Sequence, residues 1–403
     1  MLVTRPRAPF VVLGAAALIL LLAIGTRQGF GLFLHPMCSA LGWGRETFSV
    51  AIALQNLVWG LAQPFTGMIA DRYGAARVVA AGGALYAAGL VLMAHSTTGL
   101  ELDFSTGLLI GLGLSGASFG VVLGVVGRAV PPERRSAALG LVGAGGSVGQ
   151  FVMLPVGQAL ISQVGWYQAL LVLAVSAFLI VPLAAALAGK PAAAPGTGQP
   201  IGAALGEAGR HRGFWLATAS FAVCGFQTVF IMTHLPAYLV DRGATAVEGM
   251  TALAVIGLAN IAGSFGAGLL GDRYSKKQIL GWIYAIRAVA IAAFIAVPPS
   301  PAVTLAFAAV VGLTWLGTVP LTNALVAQIF GVQYLSTLFS IAFLGHQIGG
   351  FLGAWLGGYV YDATGSYFGV WMIAIAASVV AAAMCLPIDE RPLRRSAVAP
   401  GTT

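Results

Sequence analysis

Twice in this chain an apolar run ends on the same short polar phrase. Gly67-Met-Ile-Ala-Asp71-Arg72-Tyr73 closes one run, and Gly268-Leu-Leu-Gly-Asp272-Arg273-Tyr274 closes another 201 residues later, half the length of the 403-residue chain. One Asp-Arg pair at a helix end says little. Two at a half-chain offset say that the chain is an internal duplication, and an apolar protein of two like halves reads as a transporter built from structural repeats. The turn has a readable physics. Gly67 has no side chain, so a neighbouring helix can come close. Asp71 stands where the next helix exposes its first amides and favours negative charge. Arg72 and Arg77 hold the turn in water or headgroups. Gly67, Asp71, Arg72, Gly268, Asp272 and Arg273 are therefore the expected gating set, with a mere topology marker as the plainer reading.

Hydrophobic residues make up 59% of the chain and charged residues 8%. A soluble domain carries roughly a quarter charged residues, so this chain belongs in lipid. Apolar segments of spanning length fall at about 10–36, 46–70, 77–96, 102–126, 137–161 and 167–188. They resume at about 214–240, 249–270, 278–297, 302–329, 336–360 and 368–388. The expected fold is an all-α membrane protein of twelve transmembrane helices in two six-helix repeats. The expected domains are an N-terminal half over 1–188, a flexible cytoplasmic linker over 189–212 rich in Pro, Gly and Ala, and a C-terminal half over 213–403. Arg5 and Arg7 precede the first apolar run, which is too long for a signal-peptide core and reads as the first span.

The net charge of +8 is spread between apolar runs and not gathered on one surface, which argues for topology and against nucleic acid. With the N-terminus placed in the cytoplasm, sixteen of the twenty Lys and Arg fall inside, Arg45 and Arg242 outside, and Arg27 and Arg287 within spans. Both termini are thus expected to be cytoplasmic, in a cell inner membrane. Cys38, Cys224 and Cys385 lie far apart and have neither a disulfide pattern nor metal-ligand spacing. There is no phosphate loop and no catalytic cluster, so no enzyme, no cofactor and no direct use of ATP is expected. Glycines repeat every fourth residue at Gly116, Gly120 and Gly124, and again at Gly345, Gly349, Gly353 and Gly357. Such stripes let helices cross closely, and leave smooth faces able to slide.

Charged groups inside a bilayer are costly and mostly functional. No carboxylate falls deep in a span, but Arg27, Arg287, His346 and His234 do. A buried cation without a protein counter-ion points to an anionic cargo, and a carboxylate fits an arginine fork. Arg27 sits in the outer part of the first span, about 25 Å from Phe10 at ~1.5 Å per residue, flanked by Gly25, Thr26, Gln28 and Gly29. Its alternative is to snorkel to the interface. His346 falls near mid-span, as proton carrier, anion partner or interhelical hydrogen-bonding group. Arg287 is read equally as cargo contact or as a bond to a neighbouring helix's carbonyls. Gln55, Asn56, Gln227, Asn260 and Asn323 complete the polar set, and their plainer role is interhelical bonding. The repeat offset places Arg27 opposite Gln227, and binding sites tend to lie between repeats.

The duplicated turn and the six-plus-six plan resemble the major facilitator superfamily over nearly the whole chain. Within it, Gly111-Leu-Gly-Leu, and the run from Glu133-Arg-Arg-Ser-Ala-Ala-Leu to Gly145-Gly-Ser-Val-Gly149, resemble the fourth and fifth helices of monocarboxylate transporters. Arg27-Gln-Gly-Phe-Gly-Leu-Phe33 is similar to that family's first helix, where Arg27 takes the place of a lysine used in proton coupling. In the related oxalate–formate exchangers a substrate-binding lysine falls near His346. The first-helix Trp signature is missing before Leu13. The family's eighth-helix Asp and Arg are missing too, Asn260 and Ser264 falling near their positions.

The resemblance implies a secondary transporter of small organic anions, most of all monocarboxylates, working by alternating access with proton coupling or exchange. Its expected partners are a small carboxylate, protons and the lipid bilayer, with the functional unit a monomer. The expected substrate-binding residues are Arg27, Asn260, His346, Gln227, Asn323 and Arg287. A drug or metabolite efflux permease, or a non-transporting receptor on the same fold, are the alternatives.

Overall fold

A computed structural model describes residues 9–130, 132–188, 200–298, 300–331 and 334–393; the side chains at 71, 127–128, 132–137, 201 and 336 lie outside that description. Among the described residues every regular element is helical. The first span bends: α1 (Pro9–Gln28) gives way at Gly29 and Phe30 to α2 (Gly31–Leu41), through amides that reach back only three residues. The second span is α3 (Arg45–Tyr73) and the third α4 (Ala75–His95). The fourth combines α5 (Gly99–Leu102), a π-helical stretch (Asp103–Ile110), α6 (Gly111–Ala117) and α7 (Phe119–Ala129). The fifth and sixth run through α8 (Pro132–Phe178), parted at Gly165, whose φ of 79° only glycine adopts readily, and continue into α9 (Ile180–Ala184).

Residues 201–210, expected to be part of a flexible linker, instead form a helix, α10 (Ile201–Arg210), with Ala208 buried in the core of the last six spans and Ala204 buried too. Then come α11 (Arg212–Asp241), α12 (Ala246–Arg273) and α13 (Lys276–Ala296) as the seventh to ninth spans. The tenth is broken into α14 (Pro301–Leu313) and α15 (Thr318–Phe330), and α16 (Leu335–Thr364) and α17 (Phe368–Cys385) end the bundle. Among the described residues ten stretches are long and apolar enough to cross a membrane; one of them, Ala138–Leu187, holds both the fifth and sixth spans, and with α3 the elements make the twelve passes of the expected plan.

Local chemistry sets several starts. Thr98 with Glu101 and Thr245 with Glu248 form capping boxes at α5 and α12, and Ser300 caps α14 with Pro301 behind it. Closeness between spans comes from glycine, because lipid gives helices no hydrophobic reason to associate. A Cβ on Gly149 would lie 2.4 Å from the Leu21 carbonyl oxygen, so α8 touches the α1 backbone. The stripe at Gly345, Gly349, Gly353 and Gly357 seats α16 against α11, where added Cβ atoms would meet Thr218, Ala222, Phe226 and His234. In this conformation the stripe is a tight seam within the last six spans, the packing role that the spacing announced. Other glycines of α16 face α3: Gly350 abuts Asn56, and Gly358 abuts Ser49.

Candidate functional site

Where α3 meets α16 and the bend of the first span meets α11, the first six and the last six spans come together. Arg27 lies here, half-buried, at the end of α1 just before the bend. Its Nη2 donates to Asn56 Oδ1 at 2.5 Å. Asn56 is aimed by its own helix, since its Nδ2 donates to the Ile52 carbonyl at 2.7 Å. The guanidinium carbon stands 5.3 Å from the centroid of Trp59, a cation–π distance. Trp59 is held in turn by its Nε1 donating to Gln63 Oε1 at 2.8 Å and to Ser118 Oγ at 3.1 Å. The Nε of Arg27 is buried and has no partner. Among the described residues no carboxylate pairs with this cation. Beside it is a cavity of about 10 Å³, room for about one water, lined by Arg27, Phe30 and Gln55 on one side and Val229, Met232 and Thr233 on the other. Arg27 therefore turns into the seam between the two sets of spans and does not snorkel.

His346 stands one aromatic layer away. Trp59 meets Phe343 edge-on at 5.8 Å, Phe343 stacks on His346 at 5.8 Å, and His346 meets Phe221 at 4.7 Å. Its Nδ1 is 3.2 Å from Gln347 Oε1. His346 is buried in α16 and does not touch Arg27.

Two expected site residues form a closed network elsewhere. Arg287, fully buried, donates to the carbonyls of Thr314 and Trp315 and, at 3.2 Å, to Gln227 Oε1. Those carbonyls are left bare where α14 stops at Leu313, and Arg287 satisfies them in a place water does not reach. Gln227 Nε2 donates to the Ala374 carbonyl at 3.0 Å and to Ser378. Both residues thus tie α11, α13, α14 and α17 to one another, away from the Arg27 cavity. Asn323 is half-buried on α15 and makes none of the contacts gathered at Arg27.

Asn260 does lie on the seam. Its Nδ2 donates to Ser147 Oγ at 3.1 Å, while its Oδ1 accepts from Leu316 N at 3.0 Å and Ser264 Oγ at 2.9 Å. It therefore holds the break in the tenth span and pins α12 to α8. The break in the fourth span, at Ser118, lies 198 residues before Leu316 and is held by Trp59, 201 residues before Asn260. Broken spans at like places in two repeats are a mark of transporter sites.

At the end of the bundle near residues 67 and 268, a Cβ on either Gly67 or Gly268 would meet nothing within 4 Å. The close approach read from these glycines is absent in this conformation, because no neighbouring helix packs on them here. Arg72, Asp272 and Arg273 are exposed. The Asp71 side chain lies outside the described residues, as do Arg134 and Arg135. At the opposite end the two sets of spans are joined by charge. Arg45 Nη1 and Nη2 grip Asp241 at 2.7 and 2.6 Å, and Nη1 also donates to the Tyr367 hydroxyl at 2.8 Å. The Tyr361 ring lies 3.8 Å from the guanidinium. His234 Nε2 is 2.9 Å from the Ala354 carbonyl, which only accepts, so that nitrogen carries the hydrogen. Nδ1 then accepts from the Tyr367 hydroxyl at 3.1 Å. Asp362 accepts from the amides of Arg45 at 3.0 Å and Glu46 at 2.7 Å, and Trp355 Nε1 donates to Glu46 Oε1 at 3.1 Å. Sequence reading missed this cluster by treating Arg45 as a topology marker. The available signal was charge at the wrong helix ends, a cation opening α3 and an anion closing α11.

The family model of the Major Facilitator Superfamily matches residues 16–315 and 243–402. The chain belongs to that superfamily, and it is a multi-pass membrane protein of its transporter fold. YcxA of Bacillus subtilis, an uncharacterised transporter of this type, is 25% identical over 91% of this chain and 90% of its own. Monocarboxylate transporter 13 of Bos taurus is 26% identical over 88% of this chain and 83% of its own. Monocarboxylate transporter 11 of Mus musculus is 27% identical over 90% and 83%. Among solved structures, a bacterial homologue of the human lysosomal transporter Spinster superposes with a TM-score of 0.71 at 16% identity, covering 96% of this chain and 95% of that one.

Proposed function

We propose that this protein is a secondary transporter of small organic anions of the monocarboxylate type, working by alternating access. One observation carries the reading: Arg27 holds a positive charge on the seam between the two sets of spans, beside a cavity, with no carboxylate of the described protein against it and one donor unspent. A fork of this kind suits a carboxylate, and Asn56 and Trp59 hold it ready at little further cost in order. The names of the relatives at 26 and 27% identity lean the same way. Movement of the acid is coupled to a proton or exchanged for another anion, with His346, one aromatic layer from Arg27, the candidate proton carrier.

The positive-inside count puts both termini in the cytoplasm of a bacterial-type inner membrane. The Arg45 end is then outer and closed, and the Gly67 and Gly268 end is inner. The gating set of Gly67, Asp71, Arg72, Gly268, Asp272 and Arg273 acts when the inner end shuts. The functional unit is a monomer of two rocking halves, residues 1–188 and 213–403.

The test is counterflow of labelled lactate and its homologues in liposomes, comparing the wild type with Arg27→Ala and Arg27→Lys. Wild-type counterflow, nearly complete loss in Arg27→Ala and partial retention in Arg27→Lys are expected. Undiminished counterflow in Arg27→Ala would turn the reading toward a permease for uncharged compounds, and no counterflow in the wild type toward a receptor.

A further inference from the structure

The closed end of the bundle contains a helix whose N-terminal cap is borrowed from the other set of spans. The residue before α3 is Gly44, which has no side chain to cap with. By contrast α5, α12 and α14 carry their own Thr or Ser caps. The cap for α3 comes from Asp362 on α16, whose two carboxylate oxygens take the first two amides of the helix at 3.0 and 2.7 Å. Gly44 is what makes room: a Cβ there would sit 2.4 Å from Asp362 Oδ2.

The surrounding charges share one oddity. Asp362 lies in the last turn of α16 and Asp241 is the last residue of α11, where a helix disfavours negative charge. Arg45 is the first residue of α3, where a helix disfavours positive charge. Each is misplaced on its own helix and corrected only across the seam. Opening this end removes all three corrections at once and leaves the α3 amides bare.

We propose that Asp362 is a detachable N-cap, a gating residue that holds this end of the transporter shut by capping α3 from the opposite set of spans, with Gly44 as the notch that admits it. The arrangement behaves as a latch with two positions, because the cap is either seated on the amides or in water. The inference rests on the alternating-access reading but not on the identity of the cargo.

Cys38 supplies a native reporter. It is buried behind the latch, and its thiol lies 3.5 Å from the Gly44 carbonyl. In a protein whose other two cysteines are replaced (Cys224→Ala, Cys385→Ala), the rate at which a water-soluble maleimide reaches Cys38 in nanodiscs reads how often this end opens. Asp362→Ala is expected to speed labelling about tenfold, two charge-assisted hydrogen bonds being lost. Gly44→Ala should do the same by pushing the carboxylate off the amides. The double variant should label no faster than either single one, since both break the same contact. Asp362→Asn, which keeps the shape and a neutral acceptor, should fall between. It also guards against a truncation that simply fails to fold, a case told by loss of a cooperative melt.

Labelling of Asp362→Asn and Gly44→Ala at the parent rate would overturn the proposal, and so would single effects that multiply in the double variant. Because no substrate enters the assay, its outcome is independent of whether lactate is carried.

Discussion

Arg287 offers a sharp test of how to read a charge buried in a bilayer. Replace it with Met, which keeps much of the volume and removes the guanidinium. The carbonyl of Thr314 and Gln227 Oε1 then lose their donor, and the Trp315 carbonyl keeps only the weak Cys224 thiol donor at 3.6 Å. Neither carbonyl has another helical turn to bond to, because α14 ends at Leu313 and α15 begins only at Thr318. A stranded buried acceptor costs about 1–3 kcal/mol, so the Thr314 carbonyl and Gln227 Oε1 together cost about 2–6 kcal/mol. Removing a buried charge returns part of its desolvation cost, which sets the expectation near the lower middle, about 3 kcal/mol. At roughly 2–4 °C per kcal/mol for a unit of this size, the melt should fall by roughly 6–12 °C.

The assay is thermal unfolding in detergent followed by a dye that fluoresces on reacting with cysteine. Cys38, Cys224 and Cys385 are all buried, and Cys224 Sγ lies 3.1 Å from Thr318 Oγ1, beside the broken span. If Arg287→Met melts with the wild type but is no longer stabilised by added carboxylate, the structural reasoning fails and Arg287 is a cargo residue after all.

Gly349→Ala should destabilise by about 1–3 kcal/mol or more, since its Cβ would sit 1.8 Å from the Ala222 carbonyl oxygen and force α16 off α11; the same melt checks it. Gly268→Ala should leave the melt within about 1 kcal/mol, since nothing lies within 4 Å here, yet slow counterflow if this glycine is approached when its end of the bundle closes; unchanged transport would remove it from the gating set. Asn260→Ala strands the Leu316 amide and Ser147 Oγ, a loss of about 1–3 kcal/mol, and faster hydrogen exchange over residues 314–318 is the readout.

The twelve crossings were legible in the sequence because a bilayer leaves a chain few options. Backbone groups in hydrocarbon must bond within their own helix, so any apolar run of about 20 residues declares itself. The duplication was legible too, since a repeated turn survives as repeated letters. What one sequence could not settle was direction. Arg27, Arg287 and His346 look alike in a hydropathy trace, each a polar group among apolar neighbours. Packing separates them: Arg27 turns into the seam with a free donor, Arg287 is consumed by two bare carbonyls, and His346 is walled in by Phe221 and Phe343. The glycine stripe of α16 likewise announced a close crossing without naming the partner, which proved to be α11.

The Arg45 cluster lay furthest from sequence reading, for a physical reason. Arg45, Asp241 and Asp362 are separated by 196 and 121 residues, and each lies next to a loop, where lone charges are ordinary. Hydropathy and periodicity report how one residue relates to its near neighbours along a helix. A capping bond from α16 to α3 is a relation between helices, and only the folded arrangement of spans creates it. The chain's letters determined that it is a bundle of membrane-spanning helices with one polar turn repeated at half its length. The tertiary structure decided which cation faces the seam, and which end is held shut.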